Sequence, residues 1–244
     1  MSKLLKTLAV LLAVSGTAWG ATADQTVLEY VRATRVQRGR ASYTVDVTVS
    51  ASIPALSKTG VLRAVKKQAA QGRLTYEPVV FQGDGLIKTN VIARYISAEL
   101  EAQRPEEKLA TEISPLNYRF ILKGREFLDG HEALIYEVKP LHRRPGLFQG
   151  TVWLDRQTAL PLKDHGKLVK LPSVWLKEVT FTREYDLVRG YAVPSRITSE
   201  VKTRLVGKAR INVDFANYRF DESQGVVAAG AAADSNNLQD NLPK

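Results

Sequence analysis

No cysteine occurs anywhere in the 244 residues. That excludes disulfides, thiolate nucleophiles and thiolate metal ligands, and also the lipid-bearing cysteine that bacterial lipoproteins carry at their processed N-terminus. Histidine is nearly as scarce. His131, His142 and His165 are the only three, in the contexts LDGHE, PLHRRPG and KDHGK. None has the i, i+4 partner or the carboxylate cluster that a zinc site requires. No apolar stretch approaches the roughly 20 residues that a membrane-spanning helix needs. Enzyme signatures are missing too. Ser195 follows Pro194 rather than sitting in a G-x-S-x-G elbow, and GDG at 83–85 lacks the Lys-Ser/Thr of a phosphate loop. Glu106-Glu107 and Asp221-Glu222 lie in polar runs that suit a solvated surface better than a glycosidase pair. The expectation is no catalysis, no metal and no cofactor.

What is present begins with MSKLLKTLAVLLAVSGTAWGATADQ. Lys3 and Lys6 precede an apolar run from Leu8 to Val14, and Ala21 and Ala23 offer an A-x-A cleavage site. This pattern predicts a cleaved secretory signal over 1–23, with an uncleaved membrane anchor as the alternative. Without a twin-arginine pair the general secretion route is expected, and the mature chain should be periplasmic and not lipidated. The whole chain carries a formal charge of +10. Removing 1–23 leaves 33 basic against 25 acidic side chains, a balance of +8. Outside the cytoplasm such a charge has no nucleic acid to meet. It suits weak contact with an anionic membrane surface, or simply solubility. Residues 224–244 are Ala/Gly/Asn-rich without periodicity and are expected to be disordered, which leaves 24–223 as one domain, expected to be monomeric.

Between these ends the pattern is helix, then mostly strand. From Asp24 to Gln37, Val27, Tyr30, Val31 and Thr34 fall on one helical face. SYTVDVTVS then alternates strictly, with Tyr43, Val45, Val47 and Val49 on one side. GVLRAVKKQ (60–68) reads as strand or helix, and GRLTYEPVVF (72–81) as strand. Residues 88–103 return to helical spacing through Val91, Ile92, Tyr95, Ile96 and Leu100, and Pro105 marks a break or a second helical turn. From Asn117 onward strands follow one another, with turns at Asp129-Gly130, Arg189-Gly190 and Gly207-Lys208. The parity of the last strand slips near Ala216, which predicts a bulge.

About ten strands in a sequential meander make one large antiparallel sheet, and a sheet that size must curl and be covered. The fold class is mainly β with α (α+β).

LDGHEALIYEV, GTVWLDRQTALPLK, LPSVWLKEVTFTREY, GYAVPSRITSEV and GKARINVDFANYRF follow one another between Asn117 and Phe220. Together they resemble the outer-membrane lipoprotein-sorting superfamily, of the LolA/LolB type and the N-terminal half of RseB/MucB, and are closest to its uncharacterised members. The most specific element is Trp153-Leu154-Asp155 followed by Leu160-Pro161. The resemblance implies an unclosed half-barrel whose concave face is plugged by helices, with a cavity for acyl chains.

A curled sheet too wide to collapse on itself leaves a trough for inward apolar side chains. Candidates for its lining are Tyr43, Val45, Val47, Tyr136, Val138, Trp153, Trp175, Phe181 and Phe215, with Val91, Ile92, Tyr95 and Ile96 on a helical lid. Trp153 is undecided, because it shares parity with Thr151 and Asp155 and opposes Val152 and Leu154. The expected function is a periplasmic binder or carrier of lipid or of lipoprotein acyl chains. The alternative is an envelope regulatory or interaction module that binds another envelope protein.

Overall fold

The structure, a computed structural model, describes residues 19–40, 42–70 and 73–221. The secretory signal expected over 1–23, apart from 19–23, and the tail expected to be disordered over 224–244 lie outside the described residues. Ten strands carry most of the chain: β1 Tyr43–Ile53, β2 Lys58–Gln68, β3 Leu74–Gly83, β4 Tyr118–Leu128, β5 His131–Pro140, β6 Phe148–Asp155, β7 Pro161–Leu168, β8 Leu176–Val188, β9 Tyr191–Thr203 and β10 Lys208–Phe220. A long helix, α1 (Trp19–Arg40), precedes them. Between β3 and β4 runs a helical segment made of α2 (Gly85–Ile87), a π-helical turn (Lys88–Ile92), α3 (Ala93–Glu101) and α4 (Pro105–Thr111).

All ten strands form one antiparallel sheet in the order β3-β2-β1-β10-β9-β8-β7-β6-β5-β4. The chain therefore starts in the middle of the sheet, works out to one edge at β3 and crosses to the opposite edge at β4. It then returns by hairpins until β10 pairs with β1. The sheet does not close, since β3 and β4 are both edges, and this is the unclosed half-barrel that the resemblance implies. The crossing segment is α2 to α4. Topology alone thus carries these helices from one rim of the sheet to the other.

Local sequence explains the hairpins. Asp129-Gly130 and Arg189-Gly190 both have positive φ at their two central residues (49° and 86°, 52° and 80°), the primed turn that matches strand twist. Residues 60–68 resolve as strand, because Gly60, Leu62, Ala64 and Lys66 are buried in strict alternation. The expected bulge is present. Thr44 pairs with Arg219 and Asp46 with Ala216, so Asn217 and Tyr218 oppose Val45 alone. Asp46 fixes it by accepting from Asn217 Nδ2 at 2.9 Å and from Arg219 Nη2 at 2.7 Å.

The concave face holds two separate apolar clusters. One joins Val45, Val47, Val49, Leu62, Val213 and Phe215 of β1, β2 and β10 to Ile87, Val91, Ile92 and Ile96. The other joins Val27 and Tyr30 of α1 to Tyr118, Tyr136, Val138, Phe148, Val152 and Leu154 of β4 to β6. The middle of the sheet, β8 and β9, has almost no fully buried residue on either face.

Candidate functional site

The two clusters leave a gap between them. A hollow of about 810 Å³ lies over β8 and β9, under α1, α3 and α4. Its floor comes from alternate residues of the strands: Phe181, Arg183 and Tyr185 of β8, Val193 and Ile197 of β9, Ile211 of β10 and Phe148 of β6. Its roof includes Tyr30 and Thr34 of α1, Tyr95 and Ala98 of α3, and Lys108 and Thr111 of α4. That size falls within the range of about 300–1,000 Å³ common for small-molecule sites. Phe148 and Phe181 meet edge to face with centroids 5.0 Å apart, a rigid aromatic corner.

One floor position breaks the apolar pattern. Followed sideways from Tyr136, the register runs through Val152, Asp164, Arg183, Ile197, Val213 and Val49. Only Asp164 and Arg183 in that rung are charged. Asp164 is fully buried, while 35% of the Arg183 side chain is accessible, and it is the hollow that Arg183 lines. Their contact is long: Arg183 Nη2 to Asp164 Oδ2 is 3.4 Å. The Tyr185 hydroxyl donates to the same oxygen at 3.4 Å, and Asp164 Oδ1 has no hydrogen-bond partner among the described residues. Burial raises the Asp164 carboxyl above the usual carboxylate range, with Arg183 only partly opposing the shift. Burial also raises the phenols of Tyr30, Tyr95 and Tyr185, so they face the hollow as neutral groups.

Two polar contacts hold the helices over the floor. Glu112, just past α4, is buried and accepts from Arg35 of α1 at both oxygens, Nε at 3.0 Å and Nη2 at 2.6 Å, and from Arg38 at 3.3 Å. Burial would raise its carboxyl, but the Arg35 hydrogen bonds and the two guanidinium charges more than offset that and hold it low. On the other side, Glu99 of α3 pairs with buried Lys66 of β2 at 2.5 Å and accepts from the Tyr76 hydroxyl of β3.

Of the thirteen lining candidates, Tyr43, Tyr95 and Phe181 border the hollow. Val45, Val47, Tyr136, Val138, Ile92 and Phe215 are buried in the packed clusters, and Val91 and Ile96 pack against one of them. Two placements need correction. Trp153 lies on the opposite face of β6 from Phe148, Val152 and Leu154, where its indole donates to Glu126 and lies 5.5 Å from Lys163 Nζ. Its mixed parity has a physical cause. β6 alternates normally as far as Leu154, the register shift there falling on Leu162 of β7, and Asp155 is buried by the hydrogen bonds of the turn that follows. Trp175 precedes β8 and is 59% exposed, outside the sheet's repeating register.

Asp155 explains the Trp-Leu-Asp motif without a ligand. Its Oδ1 accepts from Gln157 N, Thr158 N and Thr158 Oγ1 at 2.7–3.1 Å, and Oδ2 meets His131 Nδ1 at 3.0 Å. The carboxylate stands between imidazole and hydroxyl, so these three side chains do not form a nucleophile–base pair. The residues missed from sequence were Arg183, Tyr185, Phe148 and Tyr30. The alternation Phe181-x-Arg183-x-Tyr185 is the signal that places an arginine on an aromatic face.

No family model and no curated protein sequence matches this chain. Among solved structures it is similar to a DUF1329 family protein from Desulfovibrio piger, at 15% identity over 82% of this chain and 94% of that one, with a TM-score of 0.43. It is similar to the LolA superfamily protein NE2245 from Nitrosomonas europaea, at 14% identity over 80% and 93%, with a TM-score of 0.36. It is also similar to the MucA/MucB complex of Pseudomonas aeruginosa, at 13% identity over 83% and 95%, with a TM-score of 0.29.

Proposed function

We propose that this protein binds or carries a lipophilic ligand, a lipid or the acyl chains of a lipoprotein, in the hollow between sheet and helices, and does so in the periplasm. The observation that carries the reading is the hollow of about 810 Å³ between sheet and helices, with a floor that is aromatic and aliphatic apart from Arg183. Each methylene transferred from water into such a space contributes about 0.8 kcal/mol, so a long acyl chain competes with the helices for the same surface.

The contact with an anionic membrane surface has a candidate face. Val174, Trp175 and Leu205 are 78%, 59% and 74% exposed. Arg204 ties their two loops together, its Nε donating to Val174 O at 2.8 Å and its backbone N–H to Trp175 O at 2.9 Å. Lys177, Arg204 and Lys208 around them are exposed cations. An indole among aliphatic side chains ringed by cations suits an anionic bilayer interface.

The test is native mass spectrometry of protein purified from an exported fraction, with lipid extraction and titration of a fluorescent fatty acid. Copurifying lipid or saturable binding is expected. A clean apo mass together with no probe binding overturns the reading.

A further inference from the structure

We infer that the hollow selects amphiphiles with an anionic head, and that Arg183 is the residue that receives the head. The inference rests on the lipophilic reading above and names the class of ligand within it.

Arg183 differs in position from the other charges that line the space. Arg38, Glu99, Glu101, Arg104, Glu107, Lys108 and Glu112 all lie on helices or just past their ends. Arg183 is on the sheet floor, between Phe181 and Tyr185 of its own strand. Their ring centroids lie 5.6 and 5.9 Å from its guanidinium carbon. A guanidinium is charged at every accessible pH and offers five N–H donors in a planar fork. Among the described residues none of those donors makes a hydrogen bond. The single carboxylate oxygen beside the fork is 3.4 Å away, beyond the 2.7–2.9 Å at which charge-assisted bonds form.

A charged fork flanked by two aromatic rings, open to a cavity and met by one carboxylate oxygen only at 3.4 Å, has donors left for a planar or tetrahedral oxyanion. A free anion would leave the rest of the cavity unfilled. An amphiphile satisfies both parts, its carboxylate or phosphate on Arg183 and its chain along Phe148, Tyr95, Ile197 and Ile211. Asp164 limits the affinity, because it stands beside the same guanidinium with one unpartnered oxygen.

Displacement of a bound fluorescent probe by palmitate, by hexadecanol and by inorganic phosphate tests this on the full-length mature protein. Palmitate is expected to compete at least about tenfold better than hexadecanol, the value of one charge-assisted contact. Phosphate alone should not displace the probe. Arg183→Met should bring palmitate down to the level of hexadecanol, and Asp164→Asn should improve palmitate without altering hexadecanol. Equal competition by the two amphiphiles in the unmodified protein overturns the inference while leaving the lipophilic reading intact. Binding of neither amphiphile overturns both. Displacement by phosphate as strong as by palmitate makes the site one for free anions and also overturns it. Should Arg183→Met fail to fold, the head-group comparison on the unmodified protein decides the question alone.

Discussion

Gly150 and Gly166 lie directly opposite each other on β6 and β7, and neither has space for a Cβ. On Gly150 a Cβ would sit 2.0 Å from the His165 carbonyl oxygen and 2.6 Å from Gly166 Cα, both backbone atoms. On Gly166 it would meet the Phe148 ring at 2.2 Å. The missing side chain at Gly166 leaves room for the Phe148 ring over β7, where it forms part of the hollow's floor.

This asymmetry orders two substitutions. Gly150→Ala must move backbone that lies 2.0 Å away, whereas Gly166→Ala displaces chiefly the Phe148 ring and meets backbone only at the Gln149 carbonyl oxygen, 2.9 Å away. Gly150→Ala is expected to cost more than the roughly 1–3 kcal/mol typical of overpacking, and Gly166→Ala to fall within that range. Urea denaturation measures both. Gly166→Ala should also weaken binding of a fluorescent fatty acid, because the displaced ring moves into the space the chain uses.

The clamp on α1 makes stability pH-dependent in a known direction. The Glu112 carboxyl is held below its ordinary value in the folded state, so its contribution is fully present above the unfolded value of about 4.3 and is lost as the pH falls through the folded value. Glu112→Gln removes that contribution. At neutral pH the variant should be less stable by about 1–3 kcal/mol, the usual cost of losing hydrogen bonds to a charged group. The two proteins should converge as the pH falls through the lowered folded value. Arg35 and Arg38 are about half exposed and rehydrate, which keeps the loss modest. Denaturation curves at several pH values check the convergence.

The second clamp governs access. With Glu99→Gln the ion pair to Lys66 is gone and the bond from Tyr76 weakens, so α3 should lift more readily. Faster amide exchange over 93–101 and faster exchange of a bound lipophilic probe are expected, with a lower melting temperature because Lys66 remains buried without its partner. An unchanged probe exchange rate would show that ligands enter elsewhere.

Strand number, hairpin turns, the late bulge and the helical crossing were legible in the sequence because each has a local signature. Asp129-Gly130 demands its turn, and the slip from Phe215 to Tyr218 reveals the extra residue. The site was less legible. Which apolar residues pack and which line a gap depends on where the helices land across the sheet. Val45 and Tyr43 share a face of β1, yet one is buried in a cluster and the other borders the hollow. Arg183 escaped notice because a charged residue in a strand normally faces water, and only its parity with two aromatic residues argues otherwise. Trp153 was undecidable locally, since Asp155, which shares its parity, is buried by the hydrogen bonds of its own turn rather than by the alternation of β6.

That outward placement gives a final contrast. Phe181→Trp adds volume to the floor beside Phe148 and should weaken fatty-acid binding by occupying the space. Trp153→Phe, on the other face of the sheet, should leave binding unchanged. Its effect should fall on stability alone, about 1 kcal/mol for the lost hydrogen bond to Glu126 together with the contact to Lys163. Isothermal titration of both variants, with thermal melts beside them, separates the two outcomes. If Trp153→Phe weakened binding as much as Phe181→Trp, the ligand would have to sit on the convex surface, and the hollow would lose its assignment.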